Sequence, residues 1–270
     1  MNSSEKKNKI VTYIMPWILV FMWIFLWTAS DPLTVYGDGL RAKDLTVGSE
    51  VAFGKYEQDE DRRGKEELEW RVLVKDEENN RALLIASDCI ACMPFHSEKM
   101  KVTWEDSYLR QWLNSVFLQE AFSDEERSRI IETDVETRVE EELEEDGVIT
   151  SHDSVFLLSD EEVTVYFKSR TDRLAGVSAV IHREIEEETE ETEIEGGEKQ
   201  TEEDTEEADG SLKPAVSELT DSVFWWLRTP GDEQDCAECV GAEGSIVTTG
   251  YLVIQSNFGV RPVIWVEIDD

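Results

Sequence analysis

The chain has 270 residues, with 26 Lys and Arg against 62 Asp and Glu, for a formal net charge of −36. That excess excludes nucleic acid as a partner, because two polyanions gain nothing from counterion release. Hydrophobic residues make up 40% and nine tryptophans are present, which excludes wholesale disorder and lets a sizeable core form.

Residues 1–9 carry Lys6, Lys7 and Lys9 and read as a basic cytoplasmic tail. The next eighteen residues, 10–27, contain no charge. As a helix they span roughly 27 Å, close to the hydrocarbon thickness of a bilayer. Residues 10–28 are therefore expected to form a transmembrane signal anchor, with Trp23 and Trp27 near its outer end. The basic flank orients it with the N-terminus in the cytoplasm and the rest of this single-pass chain outside. The competing reading is a signal peptide cut near Thr28-Ala29-Ser30, which would release a secreted protein. Residues 29–44, with Pro32, Gly37 and Gly39, read as a linker to an exported domain over 45–270.

Within that domain, residues 47–56 read as a strand ending in a turn. Residues 69–74 alternate apolar and polar, and with Asn79-Asn80 and residues 81–86 they predict a hairpin. Thr103 is an expected N-cap for a helix over 104–120. Trp104, Tyr108, Trp112 and Val116 recur there at four-residue spacing and predict its apolar face. Ser123 with Glu126, and Ser159 with Glu162, predict capping boxes for two short helices, the second behind a strand over 154–158. Residues 184–209 then hold fifteen Asp or Glu and one Lys, a composition that predicts a disordered acidic loop. Beyond it, residues 223–228 predict a strand, residues 245–255 a hairpin around Gly250, and residues 258–266 a terminal strand. Strands, then helices, then strands predict an α+β domain.

Several phrases occur together and in order: Glu69-Trp70-Arg71-Val72-Leu73, Thr103-Trp104-Glu105, Leu109-Arg110-Gln111-Trp112-Leu113-Asn114, Val155-Phe156-Leu157-Leu158-Ser159, Trp225-Trp226-Leu227-Arg228-Thr229-Pro230-Gly231 and Gly259-Val260-Arg261-Pro262. Over residues 45–267 the chain resembles a bacterial family of exported or envelope-associated domains of unknown function. That family is distantly similar to the C-type-lectin-like fold of the sulfatase-modifying, formylglycine-generating enzymes. The resemblance implies a lectin-like mixed domain, with the first and last strands close together and the main helix packed over them.

The cysteines fall as two Cys-x-x-Cys pairs, Cys89/Cys92 and Cys236/Cys239. Zinc, redox, buried-thiol and disulfide roles all stay open. A bridge between the two regions is geometrically easier than one inside a pair, whose members on a strand lie about 10 Å apart on opposite faces. The resemblance adds one sharper reading, copper held by Cys236 and Cys239, since thiolates suit Cu(I). Otherwise no cofactor is expected. His96, His152 and His182 are scattered, and no hydrolase, phosphate-loop or dinucleotide fingerprint is present. Adjacent Trp225 and Trp226 must face opposite ways on a strand, so one is expected in the core and the other towards a ligand. Arg228 and Arg261 close two apolar strands, as ion-pair anchors or ligand-facing groups.

The expectation is a membrane-anchored extracytoplasmic binding module for a protein or carbohydrate, held in the membrane by residues 10–27. The alternative is a copper-dependent modifying enzyme using Cys236 and Cys239. One consequence is testable directly: deleting 184–209 should leave the melting temperature within a few degrees of the parent, since a solvated loop buries little and shortening it slightly lowers closure entropy.

Overall fold

The alternating run around Trp70 becomes β2 (Glu66–Asp76), an eleven-residue strand. It appears in a computed structural model that describes residues 40–58, 64–139, 147–177 and 222–269. β2 pairs antiparallel with β1 (Glu50–Tyr56) and, through the Asn79-Asn80 turn, with β3 (Arg81–Ala86). Asn80 takes a positive φ of 50° there, which asparagine tolerates better than most side chains. At Gly54 φ is +78°, and a Cβ would lie 2.6 Å from the Phe122 ring, so only glycine lets β1 approach the helical segment so closely.

The helical segment runs through α1 (Tyr108–Trp112), a π turn (Leu113–Phe117) and α2 (Leu118–Ala121). Its N-cap is Ser107, whose side chain accepts from the Arg110 amide. Thr103, the expected cap, lies four residues too early and its hydroxyl has no hydrogen-bond partner. The buried face is also different. Leu109, Leu113, Phe117 and Ala121 point into the core, whereas Tyr108 and Val116 are exposed and Trp112 is half-buried, stacked on Phe117. One residue of offset turns a helix by about 100°, so the expected face is rotated towards solvent. Trp104 precedes the helix; its indole donates to the Asp153 carboxylate.

Both capping boxes form: Ser123 with Glu126 opens α3 (Asp124–Arg129), and Ser159 with Glu162 opens α4 (Asp160–Tyr166). The expected strand over 154–158 reduces to one bridge, Phe156 with Val263. Between these helices run β5 (Ile130–Ile131) and an antiparallel ribbon that the sequence reading missed, β6 (Thr133–Val139) with β7 (Gly147–Asp153). Then follow β8 (Trp225–Pro230), β9 (Cys236–Val240), β10 (Ile246–Leu252), β11 (Gly259–Val260) and β12 (Val263–Glu267). The expected hairpin around Gly250 is instead a single strand, β10, bulged where Gly250 takes φ +76° and paired along β9.

The strands make two five-stranded sheets. One has the order β1-β2-β3-β12-β5; the other is β10-β9-β8-β11-β4, where β4 is Ala91–Cys92. The terminal segment read as one strand therefore divides between two sheets, changing over at Arg261-Pro262. A single hydrophobic cluster joins Trp70, Leu84 and Ile264 of the first sheet with Trp225, Val240 and Val260 of the second. The start of the domain is tied in as well. Ala42 donates to Asp269 O and Asp269 donates to Leu40 O, so residues 40–44, expected as linker, belong to the fold.

The expected fold class needs correction. Among the described residues strand accounts for 42% and helix for 19%, so the fold is mostly β rather than α+β. The helices that the capping boxes promised are real but only six and seven residues long. Among the described residues no helix is long and apolar enough to cross a membrane. The membrane anchor, and the single-pass extracytoplasmic placement resting on it, are thus carried by no described element and are withdrawn. Residues 10–28, like the acidic run 184–209, lie outside the described residues.

The rotated helix gives a direct check. Leu113→Ala should cost about 2–5 kcal/mol, because Leu113 is fully enclosed, while Val116→Ala, at 43% exposed, should change stability by less than about 0.5 kcal/mol. Denaturant melts of the two variants read the difference, and the reverse order would restore the Trp104-Trp112 face.

Candidate functional site

The side chains singled out in the sequence do not gather at one place. Trp225 and Trp226 are both fully buried, on opposite faces of β8. Trp226 stacks on Phe258 at 4.5 Å and donates to Met93 O, while Trp225 donates to Arg173 O. The expectation of one ligand-facing tryptophan is corrected: the second sheet has core on both sides, as a strand enclosed on two faces requires.

Arg261 is 2% exposed. It donates to Ala86 O at 2.8 Å, Ser87 O at 3.0 Å and Arg173 O at 3.3 Å, and its guanidinium lies over the Trp225 and Phe167 rings. Burial pulls its pKa down to about 10, which leaves it cationic at neutral pH. It is a structural anchor.

The cysteines are dispersed by the sheet. Cys92 is on β4 and Cys236 and Cys239 are on β9, with β11 and β8 between. At about 4.8 Å per strand the two pairs stand roughly 14 Å apart, too far for a disulfide or a shared zinc ion. Cys89, Cys236 and Cys239 are free thiols. Cys236 and Cys239, three apart on β9, face opposite sides of the sheet. Burial holds both thiols protonated, Cys236 pushed up to about 11 and Cys239 higher still. That arrangement does not fit a two-thiolate copper site, which needs converging, deprotonated sulfurs. Cys89 instead packs against Gly259, where a Cβ would fall 2.4 Å from its sulfur.

What the fold does assemble is a groove between the β6–β7 ribbon, the start of α4 and the β8–β9 turn. It begins with Arg228, 4% exposed, which reaches three elements at once. The guanidinium donates to Leu157 O at 2.8 Å, to Glu136 O at 3.0 Å and to the Glu162 carboxylate, which also completes the α4 capping box. One residue on, the Thr229 hydroxyl donates to Asp160 at 3.0 Å and accepts from the Asp160 amide. These bonds hold α4, β6 and β8 at a set spacing.

Two clefts open along this junction and share Arg138, Asp160 and Thr229. The larger, about 610 Å³, is lined by Arg228 and Trp265 together with Asp134 and Glu161. The smaller, about 380 Å³, lies between residues 101–103 and the β8–β9 turn. Gly231 permits that turn, because a Cβ there would sit 2.6 Å from Thr249 O.

Glu238 lines the smaller cleft and is only 6% exposed. Its Oε2 atom is buried without a hydrogen-bond partner, and so is Thr103 Oγ1 in the same cleft. A buried polar atom left unsatisfied costs about 1–3 kcal/mol, and Glu238 and Thr103 put two such atoms among the residues of one cleft. Burial, with the Asp160 and Asp232 charges adding to it and Arg138 opposing, pushes the Glu238 carboxyl up to about 8. The sequence offered no signal for Glu238: in a chain one-third charged, a single glutamate in Cys-Ala-Glu-Cys is invisible until its strand is enclosed.

A raised carboxyl pKa has a definite linkage sign. Between about 4.5 and 8 the folded state holds a proton that the unfolded state has lost, so this group's stabilisation is complete at low pH and lost as pH rises through 8. Glu238→Gln should therefore melt with a shallower fall between pH 5.5 and 8.5 than the parent, a difference of a few degrees readable by calorimetry. Parallel curves would mean that Glu238 is ionised throughout.

Comparison with known proteins bears on the whole of this region. No curated protein and no solved structure matches the chain, so the likeness to a C-type-lectin-like fold gains no support. A family model described as a domain of unknown function, DUF6273, matches residues 79–268. The match opens in the β2–β3 turn, yet β1 and β2 complete the same sheet, so the folded unit extends N-terminal to it. Covering most of the chain and every element of the groove, the match shows that this protein belongs to the DUF6273 family of domains of unknown function.

Proposed function

We propose that the domain is a binding module that recognises a positively charged partner in the groove between the β6–β7 ribbon, α4 and the β8–β9 turn. The observation that carries this reading is the buried, unpartnered oxygen of Glu238, a residue that lines the smaller cleft. The surroundings agree with it. Asp160, Asp232 and Glu233 stand around the same cleft against Lys101 and Arg138, and Asp134, Glu136 and Glu161 continue the acidic lining into the larger one. Low-dielectric walls concentrate such a field and draw cations in. Arg228, though it lines the groove, is occupied by carbonyl oxygens and Glu162, and its part is to hold the walls apart.

A chain with a net charge of −36 attracts any polycation weakly, so the test must separate site from field. Titration of the full chain with a short basic peptide at 0.15 M salt, followed by calorimetry, should give saturable binding. Glu238→Gln should weaken it about tenfold or more without lowering the melting temperature, and Glu77→Gln, an exposed carboxylate outside the groove, should not. Equal effects of the two substitutions would reduce the attraction to net charge and overturn the proposal.

A further inference from the structure

Resting on the reading above, we infer that the smaller cleft seats one primary ammonium group on an alkyl stem, with Glu238 Oε2 and Thr103 Oγ1 as its acceptors. Both atoms are buried, both lack a hydrogen-bond partner, and the two residues that carry them line the same cleft. An ammonium group carries three tetrahedrally directed donors and no acceptor, so it satisfies a lone carboxylate oxygen and a hydroxyl together and keeps one donor for water or its own chain. A guanidinium is the poorer match. Its planar fork is best met by both oxygens of one carboxylate, and here the two orphaned acceptors belong to different residues. A metal ion is poorer again, since among the described residues no three His, Cys, Asp or Glu side chains converge closely enough to hold one.

The walls complete the match. Val102, Val139 and Pro230 also line the cleft, apolar surface along which methylene groups pack beside a charged head. At about 380 Å³ the cleft has room for a four- or five-carbon stem. Lys101 and Arg138 on its border repel cations that arrive without such a stem to offset the cost.

Occupation is linked to a proton. The charged groups acting on Glu238 are Asp160 from α4, Asp232 from the β8–β9 turn and Arg138 from β6, and Glu233 and Lys101 line the same cleft. Without ligand, burial and the neighbouring carboxylates keep Glu238 mostly protonated at neutral pH. The entering ammonium needs the carboxylate, so the carboxyl O–H proton leaves to solvent as the cation arrives and the net charge of the cleft is conserved. Affinity should accordingly rise about tenfold per pH unit up to about pH 8 and level off above it.

An alkyl ammonium of this kind is either a lysine side chain in a polypeptide or a free diamine, and the experiment carries both. The full chain is titrated calorimetrically with a nine-residue peptide containing a single lysine, with its arginine and Nε-acetyl-lysine versions, and with cadaverine. Phosphate and imidazole buffers, which differ in ionisation enthalpy, report the proton count. The lysine peptide or cadaverine, whichever is the natural source, should bind at least about tenfold tighter than the arginine and acetylated peptides and release about one proton at pH 7. Glu238→Gln should abolish both the preference and the proton release. Thr103→Val should weaken binding several-fold, and Thr103→Ser should restore it. Lysine and arginine peptides binding equally well, with sensitivity to Glu238→Gln retained, would overturn the ammonium seat and leave the cationic groove standing. Binding indifferent to Glu238→Gln in every arm would remove both.

Discussion

The arrangement turns on one buried cation. Where the chain leaves β11 for β12 it passes from the second sheet to the first, and the residue at the crossing is Arg261. A guanidinium enclosed there must satisfy its donors on protein oxygens, and it does so on carbonyls at the end of β3 and in the turn at Arg173. With the Trp225 and Phe167 rings beneath it, the group serves as a rivet between the two sheets. Lysine could supply the charge but not the planar fork that reaches three carbonyls.

Arg228 repeats the device at smaller scale and with a different result. Its bonds to Leu157 O, Glu136 O and Glu162 hold a ribbon, a short helix and a strand at a distance that leaves space between them. Because Glu162 also closes the α4 capping box, the helix start and the arginine are set together, and Asp160 is brought to the groove as a consequence. Rigid walls matter here. An acidic cavity whose members could relax outwards would hydrate its carboxylates and lose both the raised Glu238 pKa and any preference among cations. The groove thus keeps the carboxyl of Glu238 buried with one oxygen unsatisfied, at a local cost in stability.

Some of this was legible in the residues. The hairpin across Asn79-Asn80 and the two capping boxes follow from local chemistry, since turn geometry and N-cap hydrogen bonds are made within a few residues. The main helix was half legible. Two interleaved series of apolar residues, Trp104-Tyr108-Trp112-Val116 and Leu109-Leu113-Phe117-Ala121, share the same period, and periodicity cannot choose between them. The choice is made by Asp153, which takes the Trp104 indole and the Arg110 guanidinium and so sets where the helix begins. The β6–β7 ribbon was missed although Thr133 to Val139 alternates, because charged residues on its outer face obscured the pattern.

By itself, then, the sequence determined what depends on near neighbours and on totals: the acidic balance, the turn, the caps, the β-forming character of the last strand, and membership of the family whose motifs it carries. Tertiary structure decided the rest. It divided the terminal segment between two sheets at Arg261-Pro262, dispersed four cysteines that spacing had grouped, enclosed both tryptophans of β8 and turned the main helix by one residue. It also brought Glu238 and Thr103, 135 positions apart in the sequence, to the lining of one cleft. The physical reason is the same in each case. Burial and unsatisfied hydrogen-bonding capacity are properties of surroundings, and surroundings exist only once distant segments have packed.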